Sequence, residues 1–160
     1  MHYIIDANNL AGKLGILFNA DFEKRLIGLI KNFSKNKNIY YLIFDSNDFM
    51  GDKYADDNIF IIYAPRDSYY ASADDKIIET INDLISNHKV EVNLITDDLE
   101  IITKTKAISA DNRERYFRLI RATDFAKKLL ASENESREDD KNLDLSKINS
   151  INQDLLKLWS

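Results

Sequence analysis

Six aspartates stand where buried strands are expected to end or where a helix opens beside them. Asp6 follows the apolar run Tyr3-Ile4-Ile5, Asp45 follows Ile39 to Phe44, and Asp97 and Asp98 follow a run from Val90 to Thr96. Asp74 and Asp75 come just behind Ser72, in the first turn of a helix predicted over 73–87. Taken singly, each has an ordinary use, because aspartate caps helices and the first helical turn favours negative charge. Taken together, like charges within a few ångströms repel and must take up protons or gain a cation. The chain has no cysteine and only His2 and His88, which excludes a thiolate site and argues against a histidine-rich zinc site. A metal held by carboxylates would be a hard cation such as magnesium or manganese. Such a cation orients a water, lowers its pKa and stabilises charge building on a phosphate oxygen. Asn8 and Asn9, directly behind Asp6, offer neutral donors and acceptors for a phosphate or a bound water. The chemistry suggested is metal-assisted hydrolysis of a phosphodiester.

The elements around these acids are expected to bring them together. Strand 1 covers about 2–5 and is followed by a loop containing Gly12 and Gly15, whose spacing is not that of a P-loop. Phe22, Leu26, Leu29, Ile30 and Phe33 recur at helical spacing, giving a helix over about 21–35 that opens at Asp21. Strand 2 is 39–44, a polar loop fills 46–58, and strand 3 is 59–63. After the helix at 73–87 come strand 4 at 90–96 and a short helix over about 98–105. Residues 116–120 read as a fifth strand, with Thr123 or Asp124 capping a helix through Leu130; a single helix over 112–131 also fits the periodicity and is the less favoured reading. The alternation predicts an α/β three-layer sandwich with a largely parallel, Rossmann-like central sheet. Parallel strands joined by right-handed crossovers end on one edge, where open α/β sheets bind their ligands. The six acids would then share one rim.

At 160 residues and 18.6 kDa the chain suits one domain with a substantial core. Its net charge is -5, yet residues 104–128 hold eight bases against three acids, a stretch able to face a phosphate backbone or simply solvent. No run of about 18 apolar residues suggests a membrane span, no leader segment is visible, and a cytoplasmic location is the expectation. Residues 132–147, with the acidic Glu138-Asp139-Asp140, read as a polar linker. Residues 148–160 carry Ile148, Ile151, Leu155, Leu156, Leu158 and Trp159 on a short amphipathic helix, expected to dock on its own domain or otherwise on a protein partner or a second copy.

Four motifs, in order, carry a resemblance. Ile4-Ile5-Asp6-Ala7-Asn8-Asn9-Leu10, Leu42-Ile43-Phe44-Asp45-Ser46, Ser72-Ala73-Asp74-Asp75 and Leu94-Ile95-Thr96-Asp97-Asp98 resemble the motifs of NYN domains of the PIN-like nuclease superfamily, most closely the YacP-like branch, over residues 1–131. The resemblance implies a compact α/β ribonuclease that uses Mg2+ or Mn2+ and cuts single-stranded RNA. By position, Asp6 corresponds to the family's first-strand acid and Asn9 to the asparagine closing its Asp-Gly-Tyr-Asn pattern. Asp74 corresponds to the acid of its Thr/Ser-Ala-Asp motif, Asp98 to that of Thr-Ser-Asp, and Asp45 to an acid after the second strand. Ala7 and Asn8 depart from the glycine and tyrosine of the first motif, and Asp97 stands where the family has serine or asparagine, leaving open which of Asp97 and Asp98 faces a metal. The expected function is a metal-dependent endoribonuclease in which Asp6, Asp74 and Asp98 hold the cation and Asp45 and Asp97 assist. Arg66, Lys13, Arg113, Arg115 and Arg118 are candidates for gripping RNA, as is Lys53, and Tyr69 and Tyr70 either stack on bases or pack their own loop. The alternative is a non-catalytic RNA- or protein-binding module on the same fold. A phosphoacceptor domain fits less well, because the lysine expected after a final strand is not evident.

Overall fold

β1 (His2–Asp6) is the middle of the molecule, hydrogen-bonded on both sides by parallel neighbours, β2 (Ile39–Asp45) and β5 (Val92–Ile95). In this computed structural model, which describes residues 1–34, 37–45, 53–64, 72–108 and 116–159, six strands form one sheet. β4 (Ile59–Ala64) lies parallel beside β2, β6 (Phe117–Ile120) lies parallel beside β5, and β3 (Lys53–Asp56) runs antiparallel along the outer edge of β4. The order is β3-β4-β2-β1-β5-β6. The chain builds outward from β1 through β2 to β4 and β3, then crosses back to add β5 and β6 on the other side. The direction of winding therefore reverses between β1 and β5, which is where an open α/β sheet leaves a crevice at its carboxyl ends.

Strand residues alternate between two cores, as the pleat requires. Ile5, Leu42, Phe44, Ile61 and Ile95 pack against Leu10 of α1 (Ala7–Lys13), Leu26 and Ile30 of α2 (Phe22–Phe33), and Phe125 and Leu129 of α5 (Ala122–Trp159). Ile4, Ile43, Ile62 and Leu94 pack on the opposite face against Ile77 and Ile81 of α3 (Ala73–Asp83) and Ile101 and Ile108 of α4 (Leu99–Ile108). The result is the three-layer sandwich that the strand–helix alternation predicts. The last turn of α3 widens into a π turn at Leu84–His88 and stops at Lys89, which adopts a left-handed conformation with φ 51°.

Three boundaries differ from the sequence expectation. The segment after β1 is a helix, not a loop: Asp6 caps α1 by accepting a hydrogen bond from the Asn9 amide at 3.2 Å, and Gly15, at φ 71°, turns the chain beyond it. The stretch read as one polar loop over 46–58 contains β3, joined to β4 by a two-residue turn in which Asp57 takes a positive φ of 53°. The favoured reading of a strand at 116–120 followed by a helix is what forms, as β6 and then α5, rather than a single helix over 112–131.

The third difference is the largest. Residues 132–147 are helical, so the linker and the separate 148–160 helix merge into α5, 38 residues long. No glycine or proline occurs beyond Pro65, and pairs such as Glu133–Arg137 at 2.8 Å, one turn apart, support the exposed helix. Among the residues of α5 whose side chains are described, only those of the first turns are buried, at Ala122, Phe125, Ala126 and Leu129. Leu145, Ile148, Ile151 and Leu155 stay about half exposed, so this stripe does not dock on its own domain. A chain ended after Glu135 is therefore expected to keep its fold, with a thermal midpoint within about 2 °C of the full chain. A fall of more than about 5 °C in a melting experiment would show that the distal helix carries contacts the core needs. No described helix is long and apolar enough to cross a membrane.

Candidate functional site

The sheet delivers Asp6 to the reversal point between β1 and β5. Asp6 has the same strand parity as Ile4, which faces α3 and α4, and its side chain lies on that side of the sheet end. It is 7 % exposed. One carboxylate oxygen accepts from the Asn9 amide, and the other accepts from the Thr96 hydroxyl at 2.9 Å, directly across the reversal point. The same hydroxyl oxygen accepts the Asp98 amide at 3.0 Å, so Thr96 ties the Asp6 side chain to the backbone that carries Asp98.

Asn8 and Asn9 act as staples. The Asn9 side-chain oxygen accepts the Asp97 amide at 2.9 Å, and the Asn8 side-chain oxygen accepts the Asp45 amide at 3.2 Å. Each asparagine thus satisfies a backbone N–H at the end of a neighbouring strand, where the sheet ladder has run out. The first turn of α1 pins the ends of β2 and β5 to β1. The Asn9 side-chain oxygen thereby positions the loop behind β5.

The acids divide into two groups. Asp6, Asp45, Asp74 and Asp98 form a mutually repelling set: burial, and then the charges of Asp74 and Asp45, raise Asp6 to about 6 even though the Thr96 and Asn9 hydrogen bonds favour its ionised form. Asp74 is also raised, first by burial, then by the charges of Asp98 and Glu100, with Lys104 opposing and Asp45 adding to the rise. The Asp45 and Asp74 carboxylates take no hydrogen bond or ion pair from any described residue. One oxygen of Asp98 caps α4 by accepting the Glu100 and Ile101 amides at 2.7 and 3.4 Å.

Asp97 and Asp75 belong to the second group. The Asp97 side chain is 6 % exposed and accepts the amide and hydroxyl of Thr123 on one oxygen and Arg121 Nε at 3.2 Å on the other, with Lys13 Nζ at 3.6 Å. Burial alone would raise Asp97, but the Thr123 and Arg121 contacts outweigh it and hold the group down to about 2. Its carboxylate is therefore engaged by the start of α5. Asp75 pairs with Lys104 at 3.5 Å, and Lys104 also holds Glu100 at 3.0 Å. The six acids share the rim, but these two are already matched by bases.

The remaining candidates fall apart in space. Lys13 ends α1 beside Asp97. Arg118 is exposed on β6, paired in register with Asn93, two residues short of the strand end and so set back from the rim. Arg66, Arg113, Arg115, Tyr69 and Tyr70, and the Lys53 side chain, lie outside the described residues. Thr96, Arg121 and Lys104 were not singled out for chemistry by the sequence. Thr96 reads as a cap before two aspartates, and only the β1–β5 pairing brings it to Asp6. A groove of about 790 Å³ lined by Lys31, Ser34, Ile39, Asp56 and Asn58 opens at the start of β2 and β4, the end of the sheet opposite these acids.

The unmatched acids suit a hard divalent cation in donor type and in charge. Their side chains do not converge, however: among the described residues no group of three or more Asp, Glu or His side chains is close enough to hold a metal ion. The fit is one of chemistry and excess charge rather than of a preformed cage. No family model, curated protein or solved structure matches the chain.

Proposed function

We propose that the protein is a divalent-metal-dependent endoribonuclease whose site is the carboxylate set at the β1–β5 reversal point. The observation that carries this reading is the raised state of Asp6 and Asp74, neither of which has an ion pair with a described base; at Asp74 the opposing charge of Lys104 does not undo the rise. Groups perturbed by burial and by like charges at a sheet's ligand-binding edge are the expected mark of a functional site. Structural acids are normally matched by bases, as Asp97 and Asp75 are here.

Asp6, Asp74 and Asp98 are the residues that would hold Mg2+ or Mn2+, with Asp45 close enough to add charge. When bound, the cation would activate a water and neutralise charge on the phosphate oxygens. The chain's own residues do the rest. Thr96 and the Asn9 amide fix the Asp6 carboxylate, leaving each of its oxygens a further lone pair. Asn8 and Asn9 hold the strand ends that carry Asp45 and Asp98 in register with Asp6. The Ser72 hydroxyl, accepting the Asp75 amide at 3.4 Å, fixes the α3 start from which Asp74 projects.

The purified protein is expected to cleave a labelled single-stranded RNA in Mn2+ or Mg2+ and to stop in chelator. Asp74→Asn is expected to lower the rate by more than about a hundredfold, since even residues one step removed from a metal are worth 10–100-fold. Circular dichroism should show Asp74→Asn folded, because that side chain makes no described bond. RNA held without cleavage at any metal concentration would favour the non-catalytic binding module instead.

A further inference from the structure

We propose that Lys13 and Arg121, gathered on the two oxygens of Asp97, form a clamp for one backbone phosphate of a single-stranded RNA; this rests on the ribonuclease reading of the neighbouring acids. Asp97 has no structural need of both bases, because Thr123 already supplies it with a backbone and a hydroxyl donor. Arg121 touches it through Nε only, at 3.2 Å, and its side chain is 72 % exposed. Both terminal nitrogens of the guanidinium are left without a described partner, and they form the planar edge that matches two phosphate oxygens. Lys13 Nζ reaches the other carboxylate oxygen at 3.6 Å and is 42 % exposed. Two positive charges on one negative leave a net charge of +1, which suits one phosphodiester.

Placement follows from the elements. Asp97 lies two residues beyond β5, Arg121 directly follows β6, and the two strands are parallel neighbours, so both lie on the rim that carries Asp6. Lys13 sits one short helix away from Asp6; seven residues at 1.5 Å each set it about 10 Å along α1. The clamp therefore lies beside the carboxylate set rather than over it. A phosphate held there belongs to a nucleotide flanking the one at the acids. The clamp also puts a fixed positive point on a rim that otherwise repels a polyanion. Surface ion pairs contribute little to stability, so the clamp is separable from folding.

The test is titration of a fluorescent single-stranded RNA of about twelve nucleotides in chelator, at several salt concentrations, with the wild type, Arg121→Gln, Lys13→Met and the double variant. The expected result is several-fold weaker binding for each single variant. The double variant should be weaker by tenfold or more, and its slope of log K against log salt should be shallower by about 0.7, the loss of one phosphate contact. Melting curves should match the wild type. Equal affinity and slope in the double variant, or no RNA binding by the wild type, would overturn the clamp. Cleavage in Mn2+ is read separately: a wild type that binds through these residues but never cuts keeps the clamp and ends the ribonuclease reading. A double variant that binds and cuts like wild type does the reverse.

Discussion

Asp6→Asn is expected to stabilise the folded protein at neutral pH by about 1–2 kcal/mol while removing its response to divalent metal. Burial and the Asp74 and Asp45 charges raise Asp6 from 3.8 to about 6, so keeping it ionised above that value costs about 3 kcal/mol. Asparagine removes that cost but makes a poorer match to the Thr96 hydroxyl, which returns about 1 kcal/mol. The sign with pH follows from linkage. The folded state binds the proton more tightly than the unfolded chain, so the contribution of protonated Asp6 is fully present below about pH 4 and is lost as pH rises through 6. Wild type and variant should therefore differ least near pH 4, diverge between 4 and 6, and stay apart by a constant margin above 7. Urea unfolding across that range reads the effect directly. A cation that binds the folded state raises the melting point of the wild type in proportion to its binding, and the variant should lose that rise. A variant less stable than wild type at pH 7, or a gap that ignores pH, would show that Asp6 is a structural cap and nothing more.

The opposite outcome is expected for Asp97→Ala. Its carboxylate caps the start of α5 through the Thr123 amide and hydroxyl and holds Arg121 and Lys13. Losing a capping carboxylate costs about 1–2 kcal/mol, and the loss of its charge-assisted bond from the Thr123 hydroxyl brings the total to about 2–3 kcal/mol, the exposed bases adding little. For a chain of this size that is a fall of about 4–10 °C in the melting point. The two bases are exposed enough to return to water, so no buried charge is stranded. Because Asp97 is held down to about 2, its contribution is present above about pH 4 and is lost only as pH falls toward 2. The stability difference between Asp97→Ala and wild type should thus be flat from pH 5 to 8, where that of Asp6→Asn is not. Differential scanning calorimetry at pH 5 and 8 separates the two. A melting point unchanged by Asp97→Ala would remove the anchoring of α5 from the account.

These two aspartates also show what a sequence can and cannot reveal. Both follow apolar strands, and nothing in their neighbours separates them, because the separating partners, Thr96 for one and Thr123 with Arg121 for the other, are far along the chain. The parallel sheet was legible because β1, β2, β4 and β5 are runs of β-branched and aromatic residues long enough to be strands and too short to be helices. α1 was hidden because it is 7 residues long and ends among glycines, and its cap is the same Asp6 that looked functional. β3 was hidden because Lys-Tyr-Ala-Asp has no apolar alternation; it exists through pairing with β4. The distal part of α5 was hidden by its polarity, which matches a linker as well as a solvated helix. There the deciding signal was the absence of glycine and proline, together with bases one turn from acids. Asn8 and Asn9 were visible as polar residues beside an acid, but their use as staples for neighbouring strand ends depends on the sheet order.

The central claim is that the unbalanced acids at the β1–β5 reversal point support metal-dependent cutting of RNA. Its most direct test is the cleavage of a single-stranded RNA by the full chain in Mn2+, in chelator, and with Asp6→Asn. Cleavage that needs the metal and disappears in a variant shown by melting to be folded, and more stable than wild type at pH 7, is the predicted result. Cleavage that persists in chelator, or an Asp6→Asn protein that cuts as fast as wild type, would contradict it.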